Sequence, residues 1–482
     1  MNAIKKPSLF QSFIPLIVLI GLLAVNVLVI YIGEEDDPLG GSNQLALLIS
    51  AAIAAVMAII NGYSWKEILR GITSSITSAL PALIILLLIG ALAGTWMISG
   101  VVPAMIYYGL DLLNSTIFLF ASCLICSIVS VATGSSWTTV ATVGIALVGI
   151  GGVLGFEKGI IAGAIISGAY FGDKMSPLSD TTNLAPAMAG TDLFTHIKYM
   201  ALTTVPSIVI TLLIFLVIGF FYSAEGESGQ VIIFQDIIAS KFNITPWLFL
   251  VPLAVLILII KKVPAIPALF IGSLLGGAFA ILFQPELLFS LSGETNFLKA
   301  SYRVVVDAMT TDIAIVTENI QVNKLLSSGG MAGMLNTIFL IICAMTFGGV
   351  MEKTGMLKRI TASIIGLAKT TGSLIATTTA ACITFNVTAS DQYLSIVVPG
   401  RMFSEEYKER GLHPKVLSRT LEDSGTVTSA LVPWNTCGAY HSGVLGIATG
   451  EYALYCFFNL ISPIMTMTFG FLGIKIAKLV KE

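Results

Sequence analysis

Along this chain, apolar runs of about 20 residues, the length a bilayer-crossing helix needs, alternate with short polar stretches. The first run, residues 9–32, is too long for a signal-peptide core and has no small-residue cleavage site after it, so it reads as an anchor. Further spans are expected at 43–61, 79–98, 200–222, 247–260, 264–283, 335–352 and 452–474. Between them lie shorter apolar pieces broken by Gly, Pro, Ser, Thr and Asp, at 115–133, 138–151, 159–171, 184–190, 372–388, 391–400, 416–425 and 439–449. The pattern predicts an all-α polytopic membrane protein.

Composition agrees. Of the 482 residues, 56% are apolar and 11% charged, less than half of the roughly one quarter charged in soluble domains. A water-soluble globule is therefore excluded. The net charge of −2, with no basic block, argues against a nucleic-acid partner. Cys123-x-x-Cys126 falls mid-helix in an apolar run, a poor place for a metal or redox centre. Neither a nucleotide-cassette motif nor a catalytic constellation is present, so no enzymatic activity and no resident cofactor are expected.

Basic residues set the sidedness. Lys5 and Lys6 precede the first run, and Glu34, Glu35, Asp36 and Asp37 follow it, which puts the N-terminus in the cytoplasm. Lys66 and Arg70, Lys261 and Lys262, residues 352–359, 401–419 and 475–481 then fall inside, and the acidic loop after Phe221 outside. His196 and His413 are read as solvated loop residues, and His441 as structural. Both termini are expected in the cytoplasm.

The chain also matches itself at an offset of 255 residues, with Gly100 set against Gly355. Thirty-four residues past each glycine comes a polar interruption: Thr133-Gly134-Ser135-Ser136-Trp137-Thr138, and Thr388-Ala389-Ser390-Asp391-Gln392. Each half then carries a second break, at residues 172–183 and at 422–436. The first half starts by crossing outward and the second by crossing inward. Two inverted repeats are therefore expected, 1–225 and 244–482, joined by an external linker at 226–243. Each has a re-entrant hairpin (tips 134–138 and 388–392) and a broken helix (159–190 and 416–449). Such repeats are typical of secondary transporters, whose sites lie where discontinuous helices meet at the midplane. Irregular backbone at that depth survives only inside protein or beside a wet cavity.

The breaks hold hard oxygen donors, which suit hard cations such as Na⁺. The expected ion- or substrate-binding set is Asp173, Asp180, Asp391 and Asp423 with Ser135, Ser136, Thr138, Ser179, Thr181, Thr182, Asn183, Ser390, Asn435 and Thr436. Na⁺ is placed at Asp180, Asp391, Asn183 and Ser390. A buried carboxylate is costly, and it holds a proton or a cation but not both comfortably, the physical basis of cation/proton exchange. The bland alternative is that these aspartates cap broken helices or pair with a neighbour, and Asp173 beside Lys174 is the clearest case. Trp137 and Trp434, one per half, are read as packing the tips.

ATGSSWTTVATVGIALVGIG, AGAIISGAYFGDKMSPLSDTTNLAPAMAGTDLFTHI and LEDSGTVTSALVPWNTCGAY closely resemble the Na⁺/H⁺ antiporter NhaC family, and the similarity covers nearly the whole chain. The resemblance implies a homodimeric elevator-type transporter in a prokaryotic cell membrane, moving Na⁺ and H⁺ and in some members small carboxylates. The family's Ser/Thr/Asn-rich tips match Ser135-Ser136, 179–183, Ser390-Asp391 and Thr436. Asp391 stands where the first tip has Ser136, which breaks the symmetry of the two halves. Na⁺/H⁺ antiport is therefore expected, with a Na⁺- and H⁺-coupled malate- or lactate-type exchanger as the alternative. A channel has no need of two mirror-image gates.

Overall fold

The computed structural model describes residues 5–26, 41–222, 227–319, 322–323, 326–365 and 368–479. Its elements are helices apart from one two-residue strand pair, Ile313–Ala314 against Ser327–Ser328. Among the described residues, seven helices are long and apolar enough to cross a bilayer. Two bent pairs add to them: Val231–Lys241 with Pro246–Ile260, at 88°, and Thr449–Tyr455 with Phe457–Leu472, at 52°.

Two boundaries differ from the sequence pattern for local reasons. The helix expected from residue 79 runs from Trp65 to Ile98, because Ser64 and Glu67 form a capping box that starts it fourteen residues earlier. The helix expected from 200 is Leu193–Phe221, started by the Asp192 side chain accepting from the Thr195 amide. His196 is thereby carried into that helix and fully buried, with Nδ1 2.9 Å from Ser418 Oγ, rather than solvated in a loop. The first helix is described as Leu9–Val25, and the acidic stretch 34–37 lies outside the described residues. The stretch read as a linker is helical over Glu227–Lys241. Residues 284–334, unassigned by the pattern, include the amphipathic helix Phe297–Thr310.

Both interrupted segments fold as helix–tip–helix. Ser115–Thr133 ends at Gly134, whose φ of +70° suits the left-handed cap that stops a helix, and the chain restarts from Ser136 and runs to Val153. Thr371–Thr388 likewise gives way at Ala389–Ser390 to Gln392–Glu409. The two later segments are broken as the polar runs indicate. Lys158–Met175 stops before Pro177 and restarts as Asp180–Ala189. Pro414–Leu421 loosens into a π-turn, Glu422–Thr426, then a short 3-10 turn, and resumes as Thr436–Leu445.

Two groups of helices result. Leu9–Val25, Ser42–Ile60, Trp65–Ile98, Ala265–Phe283 and Leu335–Lys353 pack together on one side. Both tip-bearing segments, both broken helices, Leu193–Phe221 and Phe457–Leu472 make up the other. Small residues let the second group close up. The Ser115–Thr133 and Lys158–Met175 pair is the most extensive helix contact, and a Cβ on Gly168 would lie 2.9 Å from the Cys123 carbonyl carbon and 3.0 Å from Cys126 Cβ. Gly168→Val is accordingly expected to cost at least about 1–3 kcal/mol through overpacking, read as a lower unfolding temperature of the purified protein. Unchanged stability would mean that the two helices separate easily.

Candidate functional site

A cavity of about 810 Å³ opens between the two groups. Ser78, Pro81 and Ile85 of the long helix, with Ile259 and residues 262–265, wall one side. The opposite wall holds Thr133, Gly134, Ser135, Trp137 and Thr138 of the first tip, Asp173 and residues 177–181 of the first break, Asp391, Gln392 and Tyr393 of the second tip, and Thr436 of the second break. The four interruptions seen in the sequence thus meet at one place.

Each donor is held by its own helix end. Ser135 caps the restarted first arm, its Oγ accepting from the Thr138 amide (3.2 Å) and hydroxyl (3.1 Å). Ser179 caps Asp180–Ala189 through the Thr182 amide, and Thr182 Oγ1 closes the break by donating to the carbonyls of Asp173 (3.2 Å) and Lys174 (3.0 Å). Asp391 caps Gln392–Glu409, its Oδ1 accepting from the Leu394 amide at 2.9 Å. Asn435 caps Thr436–Leu445 and ties it to the second tip, donating to Asn386 at 3.1 Å. The Thr436 amide donates to the Ser390 carbonyl at 3.0 Å. Four helix N-termini, with their positive dipole ends, therefore converge here beside the helix C-terminus capped by Gly134.

The carboxylates separate into two sets. Asp173, Asp180 and Asp391 line the cavity. Asp173 and Asp391 are buried (8% and 7% exposed) and Asp180 is exposed. Asp173 Oδ2 accepts from the Ser136 amide (3.1 Å) and hydroxyl (2.7 Å), which joins the first break to the first tip. Lys174, next to it in sequence, does not pair with it. Its Nζ bonds Asp423 in a fully buried ion pair and donates to Ser462 Oγ at 2.9 Å, while Asp423 Oδ2 accepts from Thr203 Oγ1 at 2.8 Å. Asp423 is thus brought to Lys174 and not to the cavity wall. Asn183 turns back on its own loop, donating to the carbonyls of Pro177 (3.0 Å) and Ser179 (2.7 Å), and is exposed. Ser390 is fully buried at φ +59°, and among the described residues its Oγ has no hydrogen-bond partner.

Three residues near the cavity escaped the sequence reading. Glu422 is fully buried and accepts from the cavity-lining Thr181 hydroxyl at 2.9 Å, and the only trace of it in sequence is the acidic doublet Glu422-Asp423 at the start of a long run without further Asp, Glu, Lys or Arg up to Glu451. Lys262, read as a loop charge, lines the cavity. Asn386 lies inside an apolar run, yet donates to the Gly425 carbonyl (2.7 Å) and Thr428 Oγ1 (2.9 Å) of the π-turn. Trp137 stacks on Tyr440 with ring centroids 3.9 Å apart, and Trp434 Nε1 donates to the Val387 carbonyl at 2.7 Å. Both tryptophans therefore pack protein, and Trp137 also faces the cavity.

Residues 168–474 match the model of a family described as the Na⁺/H⁺ antiporter family. A malate-2H⁺/Na⁺-lactate antiporter of Bacillus subtilis (strain 168) is 35% identical over 475 residues, 98% of this chain and 96% of its own. A Na⁺/H⁺ antiporter NhaC of Alkalihalophilus pseudofirmus is 36% identical over 457 residues, 95% of this chain and 96% of its own. An arginine/ornithine antiporter, ArcD, of Halobacterium salinarum is 35% identical over 476 residues, 98% and 93% of the two chains. These relatives are named for different cargoes at nearly equal identity, so identity alone does not select among them.

Removing one member of a buried ion pair strands the other. Lys174→Met is expected to destabilise the protein by about 3–5 kcal/mol, and the double variant Lys174→Met/Asp423→Met to recover most of that loss. Thermal unfolding of the unaltered protein and these two variants in one detergent checks this. No recovery in the double variant would mean that the two side chains act separately.

Proposed function

The chain belongs to the Na⁺/H⁺ antiporter family, and from that premise we propose that it is a secondary transporter that exports Na⁺ in exchange for H⁺. The observation that carries this reading is the meeting of Asp173, Asp180 and Asp391, from both halves of the chain, on one cavity. An ionised carboxylate removed from water, as Asp173 and Asp391 are, is costly unless a counter-ion joins it. A proton or a Na⁺ removes that cost, and either one displaces the other. The hydroxyls of Ser135, Thr138, Ser179, Thr181 and Thr436 on the same wall complete a shell of hard oxygens. Ser390 Oγ, buried without a partner among the described residues, is a natural further ligand.

The remaining features of the proposal follow from the two helix groups. Tips and broken helices form a transport body, and the helices around Trp65–Ile98 form a scaffold. The inverted repeats 1–225 and 244–482 each supply one tip and one broken helix. The cavity lies on the boundary between the groups, where an elevator motion would carry it past the scaffold. Both termini then lie in the cytoplasm of a prokaryotic cell, and the scaffold joins two copies into a dimer. Na⁺ and H⁺ are the transported ions.

A second reading has specific support. The cavity is far larger than one ion requires, and about 810 Å³ falls within the usual range for small-molecule sites. Four helix N-termini and Lys262 face it, which favours an organic anion. The reading is a Na⁺- and H⁺-coupled exchanger of a small carboxylate such as malate or lactate, in which Lys262, and not the ion-paired Lys174, meets the substrate.

Liposomes holding a pH gradient and a pH dye separate the two. Plain antiport predicts dissipation by NaCl alone, lowered at least about tenfold in Asp391→Asn and in Asp180→Asn, the equivalent of about 1.4 kcal/mol of lost ion stabilisation. Full activity in both variants would overturn it. Dissipation only with malate or lactate present, lost in Lys262→Gln, would establish the exchanger. Ser390→Gly keeps the left-handed tip, which glycine adopts freely, but deletes the hydroxyl. It is expected to raise the half-saturating Na⁺ concentration at unchanged unfolding temperature, and an unchanged Na⁺ response would remove Ser390 from the ion site.

A further inference from the structure

We propose that a groove on the helix group opposite the tips binds one acyl chain of an anionic phospholipid, with the headgroup held by the basic end of that group. The groove, about 360 Å³, runs between Ser42–Ile60, Trp65–Ile98 and Leu335–Lys353. Ala51, Ala52 and Ala55 make room for it, and Thr346 supplies the single hydroxyl among its lining residues. Along its first wall it extends from Leu48 to Ile59, about 16 Å at 1.5 Å per residue. That is the depth of one leaflet of a hydrocarbon core about 30 Å thick. At its end stands Trp65, 58% exposed, the residue type that marks the bilayer interface.

Cations gather at that same end. Lys66 and Arg70 follow Trp65 on its helix, and both are exposed. Lys353 lies one turn beyond the groove residue Val350, and its stem packs against Gly71, where a Cβ would come within 2.9 Å of Lys353 Cγ. The amide of Lys5 donates to the Asn61 carbonyl at 2.9 Å, which brings Lys5 and Lys6 to the same turn. The Tyr63 hydroxyl donates to the Thr354 carbonyl at 3.3 Å and holds the two turns together. Two acids stand among these five cations: Glu352, and Glu67, which is occupied by the Ser64 amide (2.9 Å) and hydroxyl (2.7 Å).

An apolar slot of leaflet depth ending in clustered cations complements a lipid with an anionic head. A second copy of the chain fits less well. A two-fold interface brings the same patch of each subunit together, and here it would set one basic end against another.

Native mass spectrometry of the full-length protein, offered equal amounts of phosphatidylglycerol and phosphatidylcholine with identical chains, tests the proposal. The expected result is retention of phosphatidylglycerol over phosphatidylcholine by about tenfold or more. The ratio should fall to near one in Lys66→Gln/Arg70→Gln/Lys353→Gln. In Ala52→Trp, which fills the groove from an exposed position, total lipid retention should fall. Equal retention of the two lipids by the unaltered protein overturns the proposal, whether or not either variant folds. So does a preference that survives both variants. If Ala52→Trp instead turns a dimer into a monomer with lipid retention unchanged, the groove is an interface between copies.

Discussion

A lysine and an aspartate 249 residues apart in sequence meet in the interior of this protein, both fully buried. Their pairing constrains much of what surrounds them. A charge buried in an apolar medium must find its partner inside the protein. Lys174 and Asp423 satisfy each other with help from Ser462 and Thr203, so the first broken helix, the π-turn, Leu193–Phe221 and Phe457–Leu472 are tied at one point. Successive helical residues point about 100° apart. Fixing Lys174 toward Asp423 therefore turns its neighbour Asp173 toward Ser136 and the cavity. On the other side of the pair, in the π-turn, Asp423 leaves Glu422 to meet Thr181.

The same residues mark where sequence reasoning succeeds and where it stops. The breaks at Gly134–Ser135, Pro177–Ser179, Ser390–Asp391 and Pro433–Asn435 were legible because turn and capping residues stand out inside apolar runs, and each break contributes to the wall of the cavity or lies next to it. Which carboxylate faces the cavity was not legible. Asp173 belongs to the expected binding set, with pairing to Lys174 as the alternative, and that pairing does not form because adjacency in a helix separates side chains. Asp423 was grouped with Asp180 and Asp391, although its partner came from the other half of the chain. Asn183 had the right composition for a ligand, yet its amide closes its own loop. Helix starts at Trp65 and Leu193 were missed because their first turns are polar and are held by caps, not by apolar length. His196 shared that fate.

The cavity wall combines two opposite electrostatic tendencies. Three carboxylates attract cations, while four capped helix N-termini and Lys262 welcome an anion. The proposed reading uses both tendencies, cation and proton exchange with room for a small acid, and relatives of this chain are named for both kinds of cargo. Common to both proposed readings is the competition of Na⁺ and H⁺ for a carboxylate.

That competition is tested most directly by calorimetric titration of Na⁺ into the purified protein in buffers of different ionisation enthalpy. If the cavity carboxylates are shared, Na⁺ binding releases protons to the buffer, and the release diminishes in Asp391→Asn. Na⁺ binding with no proton release at any pH across the working range would contradict the account.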